Sequence, residues 1–339
     1  MELVGYDQTE AEYTFVNRSS SVEINVTYNI EKSVCHKNDY TFSLENATTF
    51  FEDVCYIRKD ILTDIVNAEF FYDEDVLTAK SRVYETHEWI NAFAPLIAHA
   101  GGGLRQLEQN TIYTNSVEAV VQNYNLGHRV FEVDFLLTTD RRLVAVHDWG
   151  DVGEEPMSFE EWGQLTQIGG TDCTTMLIDD VLDQMVINKD MFLVTDTKIS
   201  EVGEDMTEQF RIIKEEALKR DPALLERIIP QIYNRPMYES VIDVHPFKSI
   251  VFTLYLTPDT GEEVVEFVEN HDDIKVVTLP GGDGRIEFAE SLAEIGKVVY
   301  VHTLNDYVSM HHFFGKGAYG IYTDYLLPQD IEVFRKCKE

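Results

Sequence analysis

A chain of 339 residues with 61 acidic and 27 basic side chains carries a formal charge of −34. That balance excludes a nucleic-acid partner, because phosphate contacts need a basic surface, and it tells against docking on anionic headgroups. At 44% hydrophobic and 26% charged residues the chain reads as globular, and no apolar run approaches the ~20 residues that span a bilayer.

In chain order, the first ninety or so residues stand apart. Short alternating runs such as SSVEINVTYNIEKS and NDYTFSLEN predict β-strands joined by Asn/Asp turns, and a mixed stretch from Phe50 to Trp89 has helical character. This part carries no catalytic signal. It holds Cys35 and Cys55, for which a disulfide and two free thiols are both open readings, and Asn-x-Ser/Thr triplets at Asn17, Asn25 and Asn46. Together these favour an extracytoplasmic setting, secreted or cell-surface. No n-region and h-region pair opens the chain.

From Pro95 onward strand-like and helix-like patterns alternate. Candidate strands are LIAHA, RVFEVDF, RLVAVH, FLVTDTK, RIIPQIY, SIVFTLYL, IKVVTL, VVYVHTL and AYGIYT, separated by amphipathic stretches such as SVEAVVQNYN, SFEEWGQL and DMTEQFRIIKEEALKR. The pattern predicts an α/β protein, a (β/α)8 TIM barrel at residues 93–339 with a β-rich or α+β appendage at residues 1–92. Nine candidates compete for eight positions, and IKVVTL is the one expected to be partial. An open doubly wound sheet is the competing architecture, but Gly101-Gly102-Gly103 is no dinucleotide turn.

His99, Glu132, Asp134, His147, Asp196 and Lys198 each sit at or just past the end of an apolar run. Polar groups at the C-terminal ends of barrel strands converge on one mouth, where barrels keep their chemistry. Glu132 and Asp134 are two residues apart on a strand, so both face one side, and Asp196 and Lys198 repeat that spacing. Two acids on one inner face repel unless a cation or base lies between them. Glu132, Asp134 and Asp196 are therefore expected to hold one divalent cation, and hard oxygen donors point to Ca²⁺ or Mg²⁺. Gln231, Tyr255 and His302 end later strands at the same mouth and are candidate pocket residues.

The order of these pieces resembles the glycerophosphodiester phosphodiesterase family, of the phosphatidylinositol-specific phospholipase C-like superfamily, in a divergent bacterial-type form. The resemblance rests on His99-Ala100-Gly101, Glu132-Val133-Asp134, Thr139-Asp140 leading to His147-Asp148, Asp196-Thr197-Lys198, Thr303-Leu304-Asn305, and Gly320 through Thr323-Asp324. It spans about two thirds of the chain, from Pro95 to Pro328. Three positions depart from the family pattern. Ala100 replaces an arginine that would touch phosphate, so charge neutralisation falls to the metal, Lys198 or a residue such as Arg105. Asp196 replaces a glutamate, and Tyr113-Thr114-Asn115-Ser116 replaces Pro-Glu-Asn-Thr.

The resemblance implies a phosphoric diester hydrolase for a glycerol-phosphate type diester, a small molecule or lipid headgroup. His99 and His147 are then the acid and base, Lys198 holds the phosphate, and Asn115 orients an imidazole. An adjacent substrate hydroxyl attacks to give a cyclic phosphate. Two alternatives stand beside it: a phospholipase-like lyase that stops at the cyclic phosphate, and a barrel that binds a phosphorylated or glycan ligand without turnover. Oligomeric state is left open.

Overall fold

The computed structural model describes residues 89–106, 110–153 and 155–331 in full, and nine short strands before them by backbone alone. The chain divides into two compact units, one of Met1–Tyr84 with Val186–Asp190 and the other of Glu85–Met185 with Met191–Glu339. In the first, five strands form an antiparallel meander in sequence order and two further hairpins span Thr48–Ile57 and Ala68–Ser81. The thiols of Cys35 and Cys55, and Asn46, lie outside the described residues.

In the second unit eight parallel strands close on themselves: β1 (Leu96–Ala98), β2 (Val130–Leu137), β3 (Phe192–Asp196), β4 (Ile228–Ile232), β5 (Ile250–Thr253), β6 (Ile274–Pro280), β7 (Val298–His302) and β8 (Gly320–Thr323). Each pairs with its sequence neighbour, and β1 pairs with both β2 and β8. Helices α1 (Val117–Asn125), α2 (Ile178–Ile187), α3 (Glu204–Arg220), α4 (Arg235–Val244), α5 (Gly261–Glu269), α6 (Ala289–Glu294) and α7 (Tyr307–Gly315) fill the intervals. This is the expected (β/α)8 barrel.

Local sequence explains the helix starts. Ser116 accepts from the Ala119 amide at α1, Asn234 precedes Arg235-Pro236 at α4, Thr260 and Glu263 form a capping box at α5, and Asp306 caps α7. On β2 the apolar positions Phe131, Val133 and Phe135 alternate with Glu132 and Asp134, all of them buried. Phe131 stacks on Tyr124 of α1, so the apolar set faces the helices and the acids face the barrel interior. Trp89, in a helical turn before β1, donates to Ser249 Oγ at 3.0 Å and lies against Tyr300. It closes the end of the barrel where the strands begin.

Two strand assignments are corrected. RLVAVH is not a barrel strand: Leu143–Ala145 folds back antiparallel on the second half of β2, pairing Phe135 with Ala145 and Leu137 with Leu143. Only residues 138–142 separate it from β2, whereas a parallel crossover needs roughly a dozen residues or more. IKVVTL, expected to be partial, is the full strand β6, parallel to both β5 and β7.

Candidate active site

The strand ends and following loops enclose a cavity of about 210 Å³, lined by His99, Tyr113, Glu132, His147, Asp196, Lys198, Gln231, Thr253, Tyr255, His302, Thr303 and Tyr322. That volume suits a small polar headgroup more than a drug-sized ligand.

Glu132, Asp134 and Asp196 offer ligand oxygens that lie within 4.8 Å of one another, and all three residues are buried. Lys198 Nζ stands 2.6 Å from Asp134 Oδ1 and 2.8 Å from Asp196 Oδ2. Burial works against the Asp134 anion, but Lys198 and then His99 outweigh it and its carboxyl is held below the usual range. Burial pushes Glu132 well above the usual range, with Asp134 and Asp196 adding to the shift, and Asp196 is raised chiefly by burial. Glu132 Oε2 accepts from the Ala100 amide at 2.8 Å, while Glu132 Oε1 is buried with no hydrogen-bond partner. An orphaned carboxylate oxygen beside two more acids fits a hard divalent cation, which would satisfy the atom and offset the mutual repulsion.

The two histidines are held differently. His99 Nδ1 lies 2.9 Å from Asp324 Oδ1; Asp324 also accepts from Asn305 Nδ2 at 2.6 Å, and its amide donates to Asn305 Oδ1 at 2.7 Å. A carboxylate on Nδ1 fixes the ring and presents Nε2 to the cavity. His147 follows the antiparallel strand, 39% exposed against 12% for His99, and its nearest carboxylate is Asp151 at 3.8 Å. Tyr113 stands between them, its ring centroid 4.7 Å from His99 and 4.5 Å from His147.

Backbone strain gathers here. Five described non-glycine residues have positive φ, and Ala100, Tyr113, Asn115 and Lys198 are four of them. Each costs on the order of 1 kcal/mol for a residue with Cβ, less for Asn. The Ala100 amide reaches Glu132, and the Lys198 amide donates to Asp196 Oδ1 at 3.2 Å, so the unusual φ values aim donors at the carboxylates. Gly102, at φ 87, leaves no room for a Cβ against Asn123, whose Nδ2 ties Gly103 O and Ala119 O.

His99, His147, Lys198, Glu132, Asp196, Gln231, Tyr255 and His302 thus all reach the cavity, and Asp134 lies directly behind Lys198. Two expectations need correction. Arg105 does not line the cavity: its guanidinium donates to Asn123 Oδ1 at 2.9 Å and Tyr325 O at 2.7 Å, a structural staple behind β1. Asn115 orients Asp134 and not an imidazole, donating to Oδ2 at 2.8 Å and accepting the Asp134 amide at 3.0 Å. The sequence did not single out Tyr113 or Tyr322 as pocket residues. Tyr322 donates to Gln231 Oε1 at 3.0 Å on the cavity floor. Asp324 was not among the expected site residues; Thr323-Asp324, at the end of β8, entered only as part of the family resemblance.

A parallel barrel with an acidic cluster, a lysine and two imidazoles at its C-terminal mouth is the class that fold and site define. No protein-family model matches the chain, and no curated protein does. Solved structures do. The chain is similar to an Oleispira antarctica phosphodiesterase in complex with the product sn-glycerol-3-phosphate, at 17% identity and TM-score 0.57, over 73% of this chain and 99% of that one. It is also similar to two glycerophosphoryl or glycerophosphodiester phosphodiesterases from Parabacteroides distasonis. One has 15% identity and TM-score 0.56 over 76% of this chain and 93% of that one; the other has 17% identity and TM-score 0.55 over 73% and 99%. At these identities the likeness establishes the shared barrel fold.

Proposed function

We propose that the chain is a metal-assisted phosphodiesterase acting on a glycerol-phosphate type diester. The observation that carries this is the convergence of two separately held imidazoles, one lysine and a buried carboxylate triad on a single small cavity. The glycerol-phosphate product bound to a barrel of the same fold supports it.

Glu132, Asp134 and Asp196 would hold one Ca²⁺ or Mg²⁺, which supplies Lewis-acid neutralisation of a non-bridging phosphate oxygen. Lys198, kept cationic by Asp134 and Asp196 despite burial, adds a fixed positive charge beside that oxygen. One imidazole removes the proton of the substrate hydroxyl adjacent to the diester as that oxygen bonds to phosphorus. The other donates its proton to the departing alcohol oxygen as the P–O bond breaks, leaving a cyclic phosphate. Water then opens the ring and returns both histidines to their starting states. Asp324, 2.9 Å from His99 Nδ1, holds that ring with Nε2 towards the cavity.

The test is hydrolysis of glycerophosphocholine and bis(p-nitrophenyl) phosphate with EDTA, Ca²⁺ or Mg²⁺, beside Glu132→Ala and His147→Ala. Metal-dependent turnover lost in both variants is the expected result. Cation binding that needs Glu132, with neither compound turned over, would favour a binding-only barrel.

A further inference from the structure

Nine large apolar side chains are exposed among the described residues; five of them, Ile112, Phe159, Val202, Tyr255 and Leu256, lie on β-to-α connections at the cavity end of the barrel, and Tyr307 and Val308 lie in the first turn of α7. Leu126 and Leu218, towards the C-terminal ends of α1 and α3, are the other two. Exposed apolar residues scattered singly need no explanation, whereas their concentration on the face that holds the chemistry does. Leu256 is 48% exposed and Val308, in the first turn of α7, is 80% exposed.

The loop after β5 is held so that it cannot bury its apolar tip. Arg285 donates to Leu254 O at 2.7 Å, Thr257 O at 3.1 Å and Asp259 O at 2.9 Å, and Asp283 grips the same guanidinium. Tyr255 and Leu256 ride between these anchored carbonyls. Tyr255 bridges inside and outside: it lines the cavity, meets Tyr233 and His302 edge-on, and is still 46% exposed. Across from the acids, Tyr255, His302 and Tyr322 form a chain of ring contacts along the cavity wall. Tyr255 thus joins the cavity lining to the exposed Leu256 beside it on a braced loop. With a net charge of −34 opposing an anionic ligand, apolar contact is a source of binding energy that this face does supply.

We propose, building on the phosphodiesterase reading, that the preferred substrate is an amphiphile: a phosphodiester with one ester arm bearing an alkyl or acyl chain, which lies along Tyr255 and Leu256. The charged side takes the phosphate and the Tyr255–Leu256 ridge takes the chain.

The experiment compares kcat/KM for glycerophosphocholine with that for its hexanoyl and decanoyl monoesters, below their micelle concentrations, in the full chain and in Leu256→Asp. Partial burial of methylenes predicts a rise on the order of tenfold from the unacylated compound to the decanoyl ester. Leu256→Asp is expected to remove most of that rise and leave glycerophosphocholine turnover unchanged, with an unaltered melting temperature to verify folding. Turnover of glycerophosphocholine with no chain-length dependence overturns the amphiphile proposal alone, as does an identical dependence in Leu256→Asp. No turnover of any of the three overturns the phosphodiesterase reading and this proposal with it.

Discussion

The two sides of the cavity are built on opposite principles. Along β2 and β3 the wall is charged: three buried acids, a lysine wedged between two of them, and left-handed backbone at Ala100, Asn115 and Lys198. Along β5, β7 and β8 it is neutral and aromatic, with His302 and Tyr322 at the ends of their strands and Tyr255 two residues past β5. Burial, reinforced by His99 and Lys198, lowers the His302 pKa to about 4. The charged side stores unfavourable electrostatics that a ligand can release, and the aromatic side offers shape. In the proposed reading, reaction and selection fall to different strands.

Breaking the charged side should have the largest effect. Glu132→Ala removes the carboxylate with the orphaned oxygen, and turnover is expected to fall at least ~10³-fold together with loss of Ca²⁺ or Mg²⁺ binding by calorimetry. Equal cation affinity in the variant would refute the triad as the site. Next comes Asp324→Asn, which keeps the shape but withdraws the charge behind His99. A drop in kcat of about 10²- to 10⁴-fold with little change in KM is expected, and an unchanged kcat and pH profile would show that Asp324 only closes a turn.

The aromatic side is sharpened by acid. The His302 pKa is lowered to about 4, from 6.5, with burial the largest cause, and His128, buried between α1 and β2 away from the cavity, is lowered to about 4 in the same way. Because the folded pKa lies below the unfolded one, their stabilising contribution is present above pH 6.5 and is lost as pH falls towards 4, on the order of 3 kcal/mol each. Urea titrations should show His302→Leu losing less stability than the parent over that window. Equal slopes would place His302 in contact with water. The smallest effect is expected behind the charged side: Arg105→Ala should cost about 2 kcal/mol of stability through its bonds to Asn123 and Tyr325, while kcat stays within about twofold of the parent. A large kcat loss at unchanged stability would return Arg105 to the phosphate.

The barrel was legible because apolar runs and helical stretches alternate at the spacing a parallel sheet demands, and the six polar strand-end residues were legible because they interrupt those runs. RLVAVH misled because composition makes a strand while only the length of its connection decides the pairing direction. IKVVTL was discounted for the same reason in reverse. Arg105 was assigned from a charge deficit at Ala100, and charge alone does not say which way a side chain points. Tyr113 and Asn115 owe their positions to left-handed backbone, which has no compositional mark in a non-glycine residue. The Asp324–Asn305 brace joins strands β7 and β8 across the barrel seam to His99 on β1, a meeting that only closure creates.

The hairpin carrying His147 has a consequence for how such a site can change. His99 is locked to the seam, so its place is set by the whole barrel. His147 instead hangs from a five-residue turn, Thr138 to Arg142, where Thr138 Oγ1 donates to Asp140 Oδ1 and accepts the Arg142 amide, both at 2.8 Å. One imidazole is thus placed by the barrel seam and the other by a hairpin paired to β2. In the proposed reaction, substitutions in that turn are expected to shift His147 relative to His99 while the eight-stranded frame stays untouched.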